Sequence, residues 1–200
     1  MNMDQGLKEL PGIKLFDLSG KTAIVTGGSK GLGLAMAAGL ASAGANILLV
    51  NRNEAEGIQA AAELAQAFSI RAYSFAADVT QQEQTEAMAQ KAMDTFGRID
   101  ILINSAGINI RGAIDELSLE DFNQVMAVNV TGTWLCSKAV IPQMKKAGAG
   151  SIINLASTLG LVGLANRTPY TSSKGAVVQR TRALGLELAP FNIKVNAICP

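Results

Sequence analysis

The chain has 200 residues, of which 48% are hydrophobic, and its 17 basic and 16 acidic side chains leave a net charge of +1. This composition suits one domain, residues 1–200, with a substantial core, and the balanced charge gives no field that would attract nucleic acid or an anionic membrane. The sequence contains no histidine, which excludes Ser–His and Cys–His nucleophilic catalysis and histidine-ligated zinc. We therefore expect no metal site and an acid or base of another residue type.

Three features predict a cytoplasmic protein with no membrane segment. Cys136 and Cys199 lie far apart without C-x-x-C spacing, which suits reduced thiols. The N-terminal stretch "MNMDQGLKELPGIKLFDLSGK" carries acidic residues and lacks an apolar signal core. Residues 31–51 are uncharged and about long enough to span a bilayer, but the turn residues "SAGAN" divide them into a helix and a strand.

Six short aliphatic runs alternate with helix-length segments along the chain. This alternation predicts a parallel sheet covered by helices on both faces, a doubly wound α/β (Rossmann) fold with strand order 3-2-1-4-5-6. Ligand is then expected where the order reverses, outside the carboxyl ends of strands 1 and 4. The predicted strands are residues 22–26, 46–50, 71–76, 99–104, 151–156 and 193–198.

The first predicted strand leads directly into a glycine-rich loop, "TGGSKGLG", and then into a helix. Glycines allow a close backbone approach, and a helix N-terminus offers unpaired N–H groups to a pyrophosphate. The loop therefore predicts dinucleotide binding, although a glycine-rich turn with only a structural role is the alternative. The candidate cofactor residues here are Gly27, Ser29, Lys30, Gly31, Leu32 and Gly33.

The end of the second strand bears on the choice of cofactor. NAD-specific folds usually carry an acidic residue there for the adenosine ribose 2′-hydroxyl, but this chain has Asn51. Arg52 and Lys30 are both able to bind a 2′-phosphate through charge-assisted hydrogen bonds. We therefore predict NADP(H); the alternative is that both are plain surface charges and the protein uses NAD(H) or both.

Residues 119–144 are expected to form one long helix with more apolar side chains than one sheet-facing stripe requires. Phe122, Val125, Trp134 and Leu135 belong to this excess. Exposed apolar patches of this kind usually mark interfaces, so we predict a homo-oligomer.

The basic pairs of the later helices are expected to be solvated. These residues are Lys145, Lys146, Arg180 and Arg182.

The stretch "TPYTSSK" places a tyrosine after Pro169 and a lysine four positions later. Proline favours a first helical turn, so Tyr170 and Lys174 are expected on one helix face. A nearby ammonium stabilises phenolate, which suits Tyr170 to proton transfer near neutral pH. Ser157, after the fifth strand, is able to hydrogen-bond the same substrate oxygen. Taken alone, the pair is an exposed tyrosine and a solvated lysine, and Ser157 a loop hydroxyl.

With the glycine loop, "NSAG" after strand 4 and the Tyr–Lys pair, the chain resembles the short-chain dehydrogenase/reductase family over essentially its whole length. The resemblance implies that Asn129, Ser157, Tyr170 and Lys174 form the catalytic set, with Ser157 13 residues before Tyr170. It further implies that Lys174 binds the nicotinamide ribose and that the Asn129 backbone holds a water in a relay to that lysine.

The resemblance also implies cofactor contacts after strands 3 and 4. Asp78 matches the residue that binds the adenine amino group, and a helix N-cap role is the other interpretation. Asn104 and Thr26 are candidates for structural as much as cofactor contacts, and Ser105 departs from the family's usual "NNAG". The implied contacts are Asp78, Val79, Asn104, Ala106, Gly107, Tyr170 and Lys174.

The function implied is an NADP(H)-dependent carbonyl reductase or alcohol dehydrogenase, working as a dimer or tetramer on a small-molecule substrate. "FDLSGKTAIVTGG", "AGIN" and "PYTSSKGAV" are most similar to the gluconate 5-dehydrogenase and 3-oxoacyl-carrier-protein reductase branches, which suggests a sugar acid or a 3-oxoacyl thioester. The alternative is a dinucleotide-binding sensor or structural subunit without turnover. The sequence stops at "NAICP", where the family continues with a lid and a seventh strand, so we expect a truncated product.

Overall fold

The computed structural model describes residues 12–200, and this part of the chain contains six β-strands and six α-helices. Residues 1–11, on which the prediction of no signal segment partly depends, lie outside the described residues. The strands are β1 Thr22–Thr26, β2 Asn46–Asn51, β3 Ala72–Ala76, β4 Ile101–Asn104, β5 Gly150–Leu155 and β6 Ile193–Ile198. The helices are α1 Gly31–Ser42, α2 Glu54–Phe68, α3 Gln82–Phe96, α4 Leu119–Met126, α5 Thr133–Ala147 and α6 Thr168–Leu188.

All neighbouring strands pair in parallel, in the order β3-β2-β1-β4-β5-β6. The predicted doubly wound fold and strand order are confirmed. β4 begins two residues later than predicted. Just before it, the Asp100 carboxylate accepts a hydrogen bond from the Thr22 backbone N–H at 3.0 Å and pairs with the Arg98 guanidinium at 2.6 Å. These contacts fix the approach to the strand through the Asp100 side chain.

The central strands are buried on both faces, which explains their unbroken aliphatic sequences. Ile24, Leu48 and Leu102 pack with Met88 and Met144 on one face. The alternate residues of the same strands form a second cluster on the other face, because successive side chains of a strand point to opposite sides. Two hydrophobic layers therefore enclose the sheet and hold the carboxyl ends of its strands in fixed positions.

A chain of buried polar side chains crosses the second half of the sheet. The Asn104 amide donates to Asn154 at 2.9 Å and to the Ser137 hydroxyl at 3.1 Å, and the Asn154 amide donates to the Thr181 hydroxyl at 2.9 Å. These bonds join β4, β5, α5 and α6. Since an unpaired buried amide is costly, they fix the register of strands whose aliphatic residues are otherwise interchangeable.

Residues 119–147 do not form one uniform helix, which corrects the prediction. A π-helical turn, Ala127–Gly132, separates α4 from α5. The four apolar side chains expected on the surface of this helix also differ in exposure. Val125 and Leu135 are buried, whereas Phe122 is 37% and Trp134 48% exposed. Two of the four side chains are thus available on the surface.

Arg180 was expected on a solvated helix face, and that prediction is wrong. Its guanidinium donates to the Val130 carbonyl oxygen of the π-helical turn at 2.8 Å, and burial lowers the pKa of Arg180 to about 10. Within the described residues its Nε and Nη2 atoms are buried without a hydrogen-bond partner.

Among residues 12–200, which the structure describes, no helix is both long and apolar enough to span a lipid bilayer.

Candidate active site

Two adjoining clefts lie at the carboxyl ends of the strands and share Gly107 and Ile108. The first, here called the loop cleft, extends from the glycine-rich loop across the ends of β2 and β3. The second, the tyrosine cleft, lies between the end of β5 and the start of α6. The loop cleft is lined by Gly27, Ser29, Lys30, Val50, Asn51, Arg52, Asn53, Glu56, Ala77, Asp78, Val79, Ala106, Gly107, Ile108 and Val128. The tyrosine cleft is lined by Leu32, Ser105, Gly107, Ile108, Asn109, Leu155, Ala156, Ser157, Tyr170, Lys174 and Pro200.

The glycine-rich loop is shaped by close backbone contacts. Gly27 has a φ of +63°, and a Cβ there would lie 2.9 Å from Ala106 Cα. A Cβ on Gly33 would lie 2.1 Å from the Gly27 carbonyl oxygen. Lys30 precedes α1 and provides no side-chain cap, so the first N–H groups of α1 remain available to an anion.

The outer end of the loop cleft carries a small charged cluster. The Glu56 carboxylate accepts hydrogen bonds from Lys30 Nζ at 3.3 Å and the Ser29 hydroxyl at 3.1 Å. These contacts hold the pKa of Glu56 below its usual range, the Lys30 hydrogen bond contributing most. Asn51 donates its amide to the Asn53 carbonyl oxygen, and Arg52 is exposed beside them.

Asp78 and Val79 line the inner wall of the loop cleft, after β3. The Asp78 carboxylate accepts hydrogen bonds from the Thr80 backbone N–H at 2.9 Å and the Thr80 hydroxyl at 2.8 Å. The N-cap of α3 is Gln81, so Asp78 is not the helix cap of the second interpretation. Its carboxylate instead stabilises the turn that lines the cleft.

The residues at the ends of β1 and β4 have structural contacts, whereas those that follow β4 line the clefts. Asn104 points into the protein, where it bonds Ser137 and Asn154, and it lines neither cleft. The Thr26 hydroxyl accepts hydrogen bonds from the backbone N–H groups of Ser105 and Ala106 at 3.1 and 3.2 Å. Thr26 and Asn104 therefore hold the ends of the strands in place, while Ala106 and Gly107 face the clefts.

Asn129 lies in the π-helical turn and is buried. Its Oδ1 accepts from the Ile108 backbone N–H at 2.8 Å, and its Nδ2 donates to the Ile108 carbonyl oxygen at 2.9 Å and the Ser173 hydroxyl at 3.0 Å. The Asn129 backbone carbonyl accepts from the Thr133 hydroxyl at 2.8 Å. The side chain thus fixes the backbone segment that both clefts share.

Ser157, Tyr170 and Lys174 meet in the tyrosine cleft. Pro169 lies in the first turn of α6, which places Tyr170 and Lys174 one helical turn apart on one face, as predicted. Lys174 Nζ lies 5.5 Å from the Tyr170 ring centroid and donates to the Leu155 carbonyl oxygen at 2.6 Å. Ser157 follows β5, and its hydroxyl accepts from the Leu159 backbone N–H at 3.2 Å.

Burial is the main electrostatic influence on Lys174, and it lowers the pKa of this ammonium to about 8. Lys174 is therefore mostly protonated at neutral pH and loses its proton as the pH rises through about 8. The Tyr170 phenol, the Ser157 hydroxyl and the Lys174 ammonium line one cavity, and together they are able to exchange a proton with a substrate oxygen.

The family model for short chain dehydrogenases matches residues 21–200. The chain belongs to this family.

Three proteins illustrate the similarity. A D-beta-hydroxybutyrate dehydrogenase from Cupriavidus necator is 40% identical over 184 residues, covering 92% of this chain and 70% of that protein. A 5-keto-D-gluconate 5-reductase from Escherichia coli is 38% identical over 186 residues, covering 93% and 73%. The crystal structure of an NAD+-bound xylitol dehydrogenase has a TM-score of 0.89 at 37% identity, covering 92% of this chain and 70% of that one.

The protein is thus an oxidoreductase that acts on alcohol and ketone groups with a nicotinamide cofactor. The residues of the loop cleft fit such a cofactor. A Cβ on Gly27 or Gly33 would collide with the backbone that forms the loop, and the N-terminus of α1 lacks a side-chain cap.

The sequence analysis missed Glu56 and Ile108, which line the clefts, and Ser173, which contacts Asn129. Glu56 had a detectable signal, since Asn53 and Glu56 form the N-x-x-E pattern of a helix start. Ile108 and Ser173 had none, because their contacts with Asn129 join segments that are distant in the chain.

Proposed function

We propose that this protein is an NADP(H)-dependent carbonyl reductase or secondary alcohol dehydrogenase in which Tyr170 exchanges the proton of the substrate oxygen. The observation that carries the proposal is the position of the phenol. Tyr170, Ser157 and Lys174 line one cleft, and Gly107 joins that cleft to the glycine-rich loop. A bound dinucleotide supplies or accepts the hydride.

Each residue of the proposed set has a distinct role. Tyr170 gives its proton to a carbonyl oxygen or takes one from an alcohol, and the Ser157 hydroxyl hydrogen-bonds the same oxygen. Lys174 provides positive charge that stabilises phenolate and a donor for ribose hydroxyls. Asn129 acts by holding the Ile108 backbone in position.

The preference for NADP(H) follows from charge at the outer end of the loop cleft. Asn51 places an amide where an acidic residue would repel a 2′-phosphate, and Lys30 and Arg52 line the same cleft. Arginine and lysine bind phosphate through charge-assisted hydrogen bonds. NAD(H) remains the second candidate, which the NAD+-bound xylitol dehydrogenase neighbour favours.

For the substrate, we propose a sugar acid as the first candidate and a 3-oxoacyl compound, as the free acid or its thioester, as the second. Among the described residues that line the tyrosine cleft, none is acidic, so no carboxylate there would repel an acidic substrate. Lys174, Asn109 and Ser105 give the cleft polar groups. Relatives named 5-keto-D-gluconate 5-reductase and D-beta-hydroxybutyrate dehydrogenase support this class.

The test is Tyr170→Phe, which deletes one hydroxyl and little packing. We expect turnover of 5-keto-D-gluconate or 3-oxobutyrate, followed by absorbance of NADPH, to fall at least a hundredfold, with NADPH affinity almost unchanged. Tyr73 is the other tyrosine of the sequence and lies on β3, away from both clefts, so Tyr73→Phe is the matched control. Activity of Tyr170→Phe within a few-fold of wild type would contradict the assignment.

A sensor or structural subunit is the competing function. It binds the dinucleotide but shows no turnover with any ketone, polyol or oxo acid. NADPH binding by the wild type without oxidation across such a panel would favour it. We also propose a cytoplasmic protein, supported by the free thiols of Cys136 and Cys199.

A further inference from the structure

Glu56 is a charged residue of the loop cleft that the proposed chemistry does not use. It lies in the first turn of α2, where its backbone N–H donates to the Asn53 side chain at 3.2 Å. This cap directs the Glu56 side chain across the cleft to the glycine-rich loop, where it bonds Lys30 and Ser29. One carboxylate thus connects the two segments that enclose the outer end of the cleft.

The charges around this point favour Glu56 over position 51 as the group that discriminates between cofactors. Asn51 is buried, and its amide nitrogen is engaged by the Asn53 carbonyl oxygen. Among the described residues that line the loop cleft, the carboxylates are Glu56 and Asp78. Asp78 is bonded to Thr80 on the inner wall, so Glu56 is the carboxylate beside Lys30.

A 2′-phosphate would compete with Glu56 for the same donors. Lys30 Nζ lies 3.3 Å and the Ser29 hydroxyl 3.1 Å from the two carboxylate oxygens. A phosphate group that bonded Lys30 would therefore meet a negative charge a few ångströms away. A ribose 2′-hydroxyl carries no charge and is able to donate to that carboxylate.

We propose that Glu56 is a specificity-determining residue that weakens binding of 2′-phosphorylated dinucleotides relative to NAD(H), by neutralising Lys30 and repelling the phosphate. The inference rests on the proposed cofactor site and refines it. It assigns the strength of the preference for NADP(H) over NAD(H) to the balance of Lys30 and Arg52 against Glu56.

The test is Glu56→Gln, which keeps the side chain's shape and removes its charge. Binding of NADPH and NADH to the protein without substrate is titrated by cofactor fluorescence. We expect NADPH to bind roughly fivefold to tenfold more tightly than to wild type, with NADH unchanged or weaker. The gain for NADPH should shrink in high salt, because these charges are exposed.

The matched control is Glu54→Gln, which makes the same change in the same helical turn at an exposed residue outside the cleft. It should change neither affinity by more than twofold. Equal changes for both cofactors in Glu56→Gln, or weaker NADPH binding, would overturn the inference. To guard against an altered fold, 2′-AMP and 5′-AMP are compared as competitors, and only inhibition by 2′-AMP should strengthen.

The failure of this inference is distinguishable from failure of the proposed function. A wild type that prefers NADH refutes the NADP(H) preference, yet Glu56→Gln must still shift the ratio of affinities if Glu56 discriminates. Loss of turnover concerns Tyr170 and leaves these binding measurements unaffected.

Discussion

At the scale of single residues, Lys174 combines a proposed catalytic role with a cost in stability. Burial lowers the pKa of its ammonium from 10.5 to about 8. Below pH 8 both the folded and the unfolded chain hold this proton, and folding then places a charge in a poorly solvated position. Between pH 8 and 10.5 the unfolded chain holds more protons than the folded one, so this residue makes stability rise with pH.

We therefore predict that the wild type gains unfolding free energy relative to Lys174→Met as pH rises from about 8 to 10.5. The expected gain is about 3 kcal/mol. Urea unfolding across this range measures it, and Lys146→Met, at an exposed lysine of α5, should leave the wild-type slope unchanged. The difference between variants is needed because burial raises the pKa of Cys136 to about 12, which lowers wild-type stability above pH 9. Parallel pH profiles for wild type and Lys174→Met would contradict the prediction.

The catalytic spacing was predictable from the sequence because it is local. Pro169 begins a helix, and a four-residue interval then places Tyr170 and Lys174 on one face. The Lys174 contact with the Leu155 carbonyl oxygen and the burial of Arg180 were not predictable. Both depend on how α6 packs against other elements, which helical periodicity does not specify.

At the scale of elements, two helical glycines have opposite surroundings. A Cβ on Gly57 of α2 would lie 2.1 Å from the Ser74 hydroxyl and 2.5 Å from Asn51 Oδ1. The same atom on Gly39 of α1 would meet nothing within 4 Å. Gly57 therefore permits α2 to pack closely on the end of β2 and the middle of β3, whereas Gly39 has no such function.

We predict that Gly57→Ala lowers the unfolding free energy by about 1 to 3 kcal/mol through overpacking. Gly39→Ala should raise it by up to about 1 kcal/mol, because alanine is the better helix former. Urea denaturation at pH 7 compares the two identical substitutions. An equal effect of both would show that the contacts at Gly57 do not limit the packing of α2.

The strands were predictable as elements because most are aliphatic runs between turn residues, and alternation with helices led to the observed order. The π-helical turn at Ala127–Gly132 was not predictable. Over six residues, side-chain periodicity does not separate a π-helical turn from an α-helix. That turn carries Asn129, so the element around a proposed site residue was the one interpreted incorrectly.

At the scale of the whole molecule, α4 and α5 leave aromatic surface uncovered. Trp134 is 48% and Phe122 37% exposed, and Lys138 Nζ lies 5.1 Å from the Trp134 ring centroid. Aromatic side chains are enriched at protein interfaces. We propose that this surface pairs copies of the chain into a dimer or tetramer.

We predict that Trp134→Glu converts the assembly into a smaller species in sedimentation velocity, because a carboxylate would be buried without a partner. Ile58→Glu, at a residue of α2 that is 57% exposed, is the control and should leave the assembly intact. Trp134 is the single tryptophan of the sequence, so its emission should shift to the red on dilution. A wild type that sediments as a monomer at micromolar concentration would refute the proposal.

The central place of β1 has a consequence for synthesis on the ribosome. β1 pairs with β2 and β4, yet β3 ends at Ala76 and β4 begins only at Ile101. At 5 to 20 residues per second, β4 emerges about one to five seconds after β3. During that interval a nascent sheet of β1, β2 and β3 presents the unpaired edge of β1 to other growing chains. A chaperone that binds the nascent chain during this interval would therefore protect the edge of β1 until β4 covers it.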